Sequence, residues 1–307
     1  MGKLLKFSEE ADLDQLRKNA YARYDAGEYR NAIDLFEQYF AAGGNPSDMV
    51  RERKALVRLG RAYLKVSENQ AAEDLIYRNL DALCALQFGR TFLMDAGVGL
   101  PNFEFCQRAI INAFDEDEAD LFTIRLDNVT ATYTKAHSRL IADTVRRVSH
   151  LGGFPLYEQE QILRAELPRI PVAAAGPAVV AALRDDSIHP FVRTTLIVWA
   201  RVLGVNEELA LQIADKHYTY NPHFAKALGE DSVSQAVRGQ VRQQAPEFPD
   251  EMVQLMLGMI YPLTEKLISD PAKFATALIG RDTGDESTAE LLKWMNSQAE
   301  IVSNGLN

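Results

Sequence analysis

The stretch Ala26-Gly27-Glu28-Tyr29-Arg30-Asn31-Ala32 decides the fold. Gly27, free to take left-handed backbone, ends one helix, and Tyr29 to Ala32 opens another whose alanine stands one turn before the large apolar Phe36. Working outward from it, Leu16, Ala20, Ala32 and Phe36 recur at one common offset as Leu56, Gly60, Ala72 and Ile76. Small side chains let the two helices of a hairpin approach, and large ones fill the space between hairpins. The pattern predicts two helical hairpins in tandem.

In the second copy Ser67 and Asn69 replace the turn glycine and the aromatic. Between the copies, Gly43-Gly44-Asn45-Pro46-Ser47-Asp48 reads as a linker, with glycine ending one helix and Asp48 capping the next. The residues Tyr24, Gly27, Tyr29, Ala32 and Phe36, then Leu59, Gly60, Ala62, Tyr63, Ala72 and Ile76, resemble two tetratricopeptide repeats (TPRs). The resemblance implies an α-solenoid whose first helices line a concave groove, in a scaffold for protein–protein interaction. A degenerate third copy is suggested where Gly60-Arg61-Ala62-Tyr63-Leu64 returns in kind as Gly89-Arg90-Thr91-Phe92-Leu93. Gly97 to Pro101 would then be its loop and Asn102 to Phe114 its second helix. The acidic run from Asp115 to Asp120 reads as a solvated helix start, since carboxylates there complement the helix dipole. A long helix is expected from near Ala119 to Ser149, broken by Gly152-Gly153, which places the TPR-like region at 1–150 and a helical C-terminal region at 151–307.

The second half is punctuated differently. Leu156 to Leu167 reads as helix, Pro168 and Pro171 interrupt, and Pro177 to Leu183 restarts. The acidic turn Asp185 to Pro190 and the apolar helix from Phe191 to Leu203, opened by Val192-Arg193, resemble a HEAT-type hairpin. In Leu209 to Tyr220 the alternation of Leu211 with Ile213 and of Tyr218 with Tyr220, about a polar turn at Asp215-Lys216, favours a small β-hairpin over a rival helix through Lys216. Helices are expected over Pro222–Leu228, Ser232–Gln243, Asp250–Tyr261 and Ala289–Val302. The predicted class is all-α, an α-solenoid followed by a HEAT-like or irregular helical part with one hairpin near 209–220. In order, Leu156-Tyr-Glu-Gln159, Ile188-His-Pro-Phe-Val-Arg-Thr194, Asn221-Pro222 and Ile260-Tyr-Pro-Leu263 resemble an uncharacterised bacterial family with N-terminal TPRs. That family has no established activity to carry over.

With 307 residues, 47% hydrophobic and 25% charged, the chain can bury a core, and its net charge of −10 argues against nucleic acid and anionic membranes as partners. The opening residues lack the apolar stretch of a secretory signal, and no later run approaches the ~20 apolar residues of a membrane span, so a cytoplasmic protein is expected. Cys84 and Cys106, in apolar helical contexts, read as two buried free thiols, with a disulfide left open.

No nucleophile, phosphate-cradle or dinucleotide motif is present in the sequence, so no catalytic residue and no cofactor is assigned. The histidines at 137, 150, 189, 217 and 223 form no ligand spacing with one another or with cysteine, and no metal is assigned; His217 and His223 with Asp215 make the best trio. One pattern stands out. Lys54, Arg58, Arg61 and Lys65 share one helical face, opposite Leu56, Leu59 and Tyr63, and Arg17, Lys18 and Tyr21 fall on the matching face of the first repeat. Two readings stand: a solvated face offset by acids of neighbouring helices, or a groove for an acidic peptide or protein. The leading functional expectation is a non-enzymatic binding scaffold; the alternative is a small-ligand regulator or enzyme-like protein with its site between the N- and C-terminal helical parts.

Overall fold

The computed structural model describes residues 2–44, 50–214, 216–281 and 283–305. The chain divides into two compact units, Met1–Lys135 and Ala136–Asn307. The first holds α1 (Gly2–Asp25), α2 (Tyr29–Ala41), α3 (Val50–Lys65), α4 (Asn69–Arg78), α5 (Leu80–Cys84), α6 (Gln87–Gly99), α7 (Phe103–Ile111) and most of α8 (Glu116–Ala136). The second holds α9 (Ser138–Ser149), α10 (Leu156–Gln161), α11 (Val172–Leu183), α12 (Pro190–Val202), the strands β1 (Leu209–Ile213) and β2 (Lys216–Tyr220), then α13 (Ser232–Gln244), α14 (Asp250–Met259), α15 (Thr264–Leu267), α16 (Pro271–Leu278) and α17 (Glu286–Gly305). Helix dominates, with one small antiparallel sheet, as the residue pattern predicts. Among the described residues no helix is long and apolar enough to cross a membrane.

In the first unit α1 packs on α2, α3 on α4 and α6 on α7, and α3 also meets α1 and α6. The first two hairpins close with the same turn. Gly27 takes φ +78 and Ser67 φ +62, and the residues that follow, Glu28 and Glu68, have φ/ψ of −83/62 and −82/62. In both, the glutamate N–H donates back into the preceding helix, Glu28 to the Arg23 carbonyl and Glu68 to the Tyr63 carbonyl at 2.9 Å. Serine thus occupies the left-handed position that glycine holds in the first copy. Ala20, Ala32, Ala72, Phe36 and Ile76 have no exposed surface, and a Cβ on Gly60 would lie 2.4 Å from the Phe92 ring. The linker residues Asn45 to Asp48, including the expected Asp48 cap, lie outside the described residues.

A third hairpin exists, in a different register from the sequence echo. Gly97 and Gly99 belong to α6 rather than to a loop, because a Cβ on Gly97 would fall 2.5 Å from Cys106 Sγ and 2.8 Å from the Asn102 carbonyl oxygen: the glycine admits α7 instead of ending the helix. The turn is Leu100 to Asn102, where the Asn102 side chain accepts the Phe105 N–H at 3.2 Å, and α7 ends at Ile111, short of Phe114. Gly89 instead lies against the backbone of Leu83, and Arg90 is buried where its counterpart Arg61 is half exposed, so Gly89–Leu93 does not repeat the packing of Gly60–Leu64. Arg90 Nε and Nη2 donate to Glu118 Oε2 at 3.0 and 2.8 Å. The acidic run is therefore only partly solvated. Asp115 accepts the Glu118 N–H at 2.9 Å, while Glu118 turns inward to the arginine. The long helix expected from Ala119 to Ser149 is two, separated at His137, whose φ/ψ of −122/25 leaves helical geometry. The unit boundary falls at that break and not at residue 150, since α9 packs on α11.

In the second unit α11 packs on α9 and α12, α12 also meets α10 and α14, and α16 joins α13 to α17. Helix α11 begins at Val172, ahead of the expected start, and carries Pro177 inside it. Burial of Ala175, Ala178, Val179, Ala182 and Leu183 offsets the one hydrogen bond that Pro177 cannot donate. The expected Leu156–Leu167 helix passes after Gln161 into a wider π turn (162–166) and then a 3-10 turn through Pro168, which has no N–H to continue the α ladder. Only Pro222–Phe224 of the expected Pro222–Leu228 helix forms, as a single 3-10 turn, because Ala225 turns extended at φ/ψ −68/131. Strand β1 pairs with β2 from Leu209↔Tyr220 to Ile213↔Lys216, burying Leu209, Leu211, Ile213 and Tyr220. Lys216 is thus in the strand and not in the turn; Asp215 lies outside the described residues.

Two consequences are measurable by urea denaturation. Gly97→Ala should cost about 1–3 kcal/mol, as overpacking does, whereas Gly99→Ala, with open space around its added methyl, should be neutral or stabilise by up to about 1 kcal/mol. Equal effects would contradict the Gly97–Cys106 approach. Ser67→Gly should stabilise by up to about 1 kcal/mol, by relieving a left-handed non-glycine residue.

Candidate functional site

The cationic stripe on α3 forms because the opposite side of that helix is consumed by packing: Ala55, Leu56, Leu59, Gly60, Ala62 and Tyr63 are all buried. Arg58 lies over the rings of Tyr21 and Tyr24, its guanidinium carbon 4.3 and 5.4 Å from their centroids, and it meets Asp25 at 3.2 Å. Arg61 meets Asp95 at 3.4 Å, and Arg125 of α8 meets the same carboxylate at 2.7 Å. Lys54 Nζ stands 5.9 Å from the Phe88 ring centre. Lys65 is exposed and has no acid within ion-pair distance among the described residues.

On α1, Arg17 and Lys18 share Asp14, the lysine at 2.9 Å, and together they hold the Asp14 carboxyl down at about 2. Tyr21 is half-buried, edge-on to Phe36, with Arg17 6.0 Å from its ring centre; burial raises its hydroxyl pKa. All seven residues singled out from the sequence therefore sit in one unit on α1 and α3, with Arg58 joining the two helices through Tyr21. The neighbouring-acid reading is realised for Arg58 and Arg61. Tyr24, Asp25, Phe88, Asp95 and Arg125 also belong to this face and were not in the sequence assignment. Tyr24 and Asp25 follow Tyr21 by one helical turn and so had a periodic signal, whereas Asp95 reaches Arg61, and Arg125 reaches Asp95, only through tertiary packing.

Neither cysteine forms a disulfide; Cys106 is buried and Cys84 half-buried, and burial pushes their thiols up to about 12 and about 11. Both are neutral at physiological pH, which disfavours nucleophilic chemistry at either. His217 lies exposed on β2 and His223 exposed in the 3-10 turn beside Phe224; Asp215 of that trio lies outside the described residues. Among the described residues no group of three His, Cys, Asp or Glu side chains is placed to hold a metal ion.

His189 is different. Its Nδ1 accepts the Phe191 N–H at 3.2 Å and caps α12, which assigns the remaining proton to Nε2, 3.1 Å from the Gln298 carbonyl oxygen. Both contacts need the neutral ring. Burial, reinforced by the charge of Arg193, lowers its pKa below the usual 6.5, while the Gln298 contact opposes this.

No protein-family model, curated protein or solved structure matches this chain.

Because the folded-state pKa of His189 is depressed, its contribution to stability is present above about pH 6.5 and is lost as pH falls through the folded value. His189→Asn keeps an acceptor for the Phe191 N–H and removes the titration. Urea unfolding between about pH 7.5 and 5.5 should show a steeper loss of stability in the wild type than in the variant; parallel curves would refute the neutral-cap assignment.

Proposed function

We propose that the first unit is a TPR-like array and that the chain is a non-catalytic, cytoplasmic binding scaffold. Its ligand is an acidic peptide or the acidic segment of a partner protein, held across Arg17, Lys18, Tyr21, Lys54, Arg58, Arg61 and Lys65. One observation carries this reading. The face formed by these residues and Arg125 has seven cations with three carboxylates, Asp14, Asp25 and Asp95, within ion-pair distance among the described residues, on a chain whose net charge is −10.

The energetics favour exchange. Asp25 and Asp95 are well exposed, at 62% and 38%, and exposed ion pairs contribute only about 0–1 kcal/mol each, so peptide carboxylates can replace them at little cost. Arg58 presents a guanidinium already stacked on two tyrosines, which limits the side-chain freedom lost on binding. In arrays of this kind the first helices of successive hairpins line the groove, and α1 and α3 are such helices.

The test is titration of a fluorescein-labelled octaglutamate peptide, alongside capture of partners from native lysate. Affinity should fall as salt rises from about 0.1 to 1 M and the screening length shortens from about 10 to 3 Å. Arg58→Glu with Arg61→Glu should weaken peptide binding by about tenfold or more, on the order of one charge-assisted hydrogen bond. The melting temperature should stay within a few degrees, since both side chains are a third or more exposed. Unchanged peptide affinity and partner capture in the double reversal would refute the groove; unfolding would make these cations structural.

A further inference from the structure

Among the described residues, the first unit buries one arginine with its counter-ion, and the second buries one without. Arg90 and Arg193 are each 5% exposed. Arg90 is held by Glu118 through two nitrogens. Arg193 donates from Nη1 to the Gln212 carbonyl at 3.1 Å and from Nη2 to the Asp186 carbonyl at 3.3 Å, and its buried Nε–H has no acceptor. Among the described residues no carboxylate lies within ion-pair distance of it; Asp185 and Asp186 act on it only through their more distant charge. Two neutral carbonyls are poor compensation for a buried cation, which ordinarily is paired.

Arg193 lines a cavity of about 430 Å³, bounded by the Asp186–Pro190 turn, α10, the end of β1 and α17. That is within the usual range of small-ligand sites. Its wall holds a second unsatisfied group. Gln159, also 5% exposed, donates through Nε2 to the Phe154 carbonyl at 2.7 Å and leaves Oε1 buried with no donor. Apolar surface comes from Leu156, Ile188 and Trp294. His189 has both ring nitrogens engaged and offers shape only. Asp186, exposed on the same wall, is the one carboxylate lining the cavity among the described residues, and an anion must sit on the Arg193 side of it.

We propose that this cavity binds a small hydroxy- or amino-carboxylic acid, its carboxylate accepting the Arg193 Nε–H and its hydroxyl or amino hydrogen donating to Gln159 Oε1. A carboxylate supplies the charge Arg193 lacks, and a hydroxyl or amino donor on the same ligand supplies what Gln159 lacks. A plain inorganic anion would answer only the first. The apolar remainder of the ligand lies against Ile188 and Trp294. The inference is independent of the basic face of the first unit and stands or falls without it.

The experiment is thermal unfolding and tryptophan emission of the full chain at constant ionic strength, with glycolate, malate, 3-phenyllactate, L-glutamate and inorganic phosphate as probes. At least one of the four acids should raise the melting temperature saturably and perturb the emission, to which Trp294 in the wall contributes. Its neutral amide and its analogue lacking the hydroxyl or amino group should each bind about tenfold more weakly or worse. Arg193→Gln should abolish the shift, and Gln159→Leu should remove the preference for the hydroxyl or amino group. The proposal is overturned if no acid gives a saturable shift, if the amide binds as well as the acid, if Arg193→Gln folds and binds unchanged, or if phosphate alone binds. The amide comparison uses only wild-type protein, so it decides the matter even if the Arg193 variant fails to fold.

Discussion

The close approach of helices at small residues is the constraint on which the first unit depends. Where Ala20, Ala32, Gly60, Ala72 and Gly97 stand, the neighbouring helix or side chain occupies the space that a larger residue would need. At Gly60 that neighbour is the Phe92 ring of α6, and at Gly97 it is Cys106 of α7. These contacts fix which side of α3 is covered, because that helix packs on α2, α4 and α6 and buries Leu56, Leu59, Gly60 and Tyr63, with Gly60 against Phe92 of α6 and Leu75 of α4. The stripe left over must be polar. Packing does not require it to be cationic, and four basic residues in succession on that stripe are information beyond what the fold needs.

Buried charge is handled in two opposite ways. Arg90 is matched by Glu118, which also accepts the Phe114 N–H at 2.6 Å, so a carboxylate from an apparently solvated acidic run serves the core and the helix start together. Arg193 ties the backbone of β1 to the Asp186–Pro190 turn but keeps an unanswered donor beside a cavity. A core optimised for stability alone would do better with an apolar side chain at that position, since an unpaired buried cation is costly. The turn-to-strand tie explains why position 193 is long and polar; it does not explain the full charge.

What was legible in the sequence was local. The Gly27 turn could be read because left-handed backbone and a helix stop are properties of a few adjacent residues, and the Ser67 turn followed from its offset even though serine hides the signal. The β-hairpin was legible from alternation over Leu209 to Tyr220. Gly97 misled because glycine has two uses, ending a helix or admitting a neighbour, and only the position of Cys106 separates them. The break at His137 carries neither glycine nor proline, so periodicity ran through it. For the candidate face, helical spacing gave the cations and Tyr21, while Asp95 lies 34 residues beyond Arg61 and Arg125 a further 30 beyond Asp95. Arg193 carries a readable clue, one cation among Phe191, Val192, Leu196 and Ile197, although the same pattern also fits a simple helix opening.

The difference in burial between the two proposed sites also sets what each would recognise. On the α1–α3 face Lys18, Arg58 and Arg61 are each a third or more exposed and paired with exchangeable acids, so the proposed peptide would gain from the number of its charges more than from their placement, with water screening each contact. Such a surface would discriminate by charge density. Arg193 is 5% exposed and has no carboxylate within ion-pair distance among the described residues, so one correctly placed carboxylate would gain more there than several on the open face, and one misplaced group would leave Gln159 or Arg193 unanswered. Selectivity there would follow from satisfying two buried atoms at once, which is how a site of modest volume can distinguish an acid from its own amide.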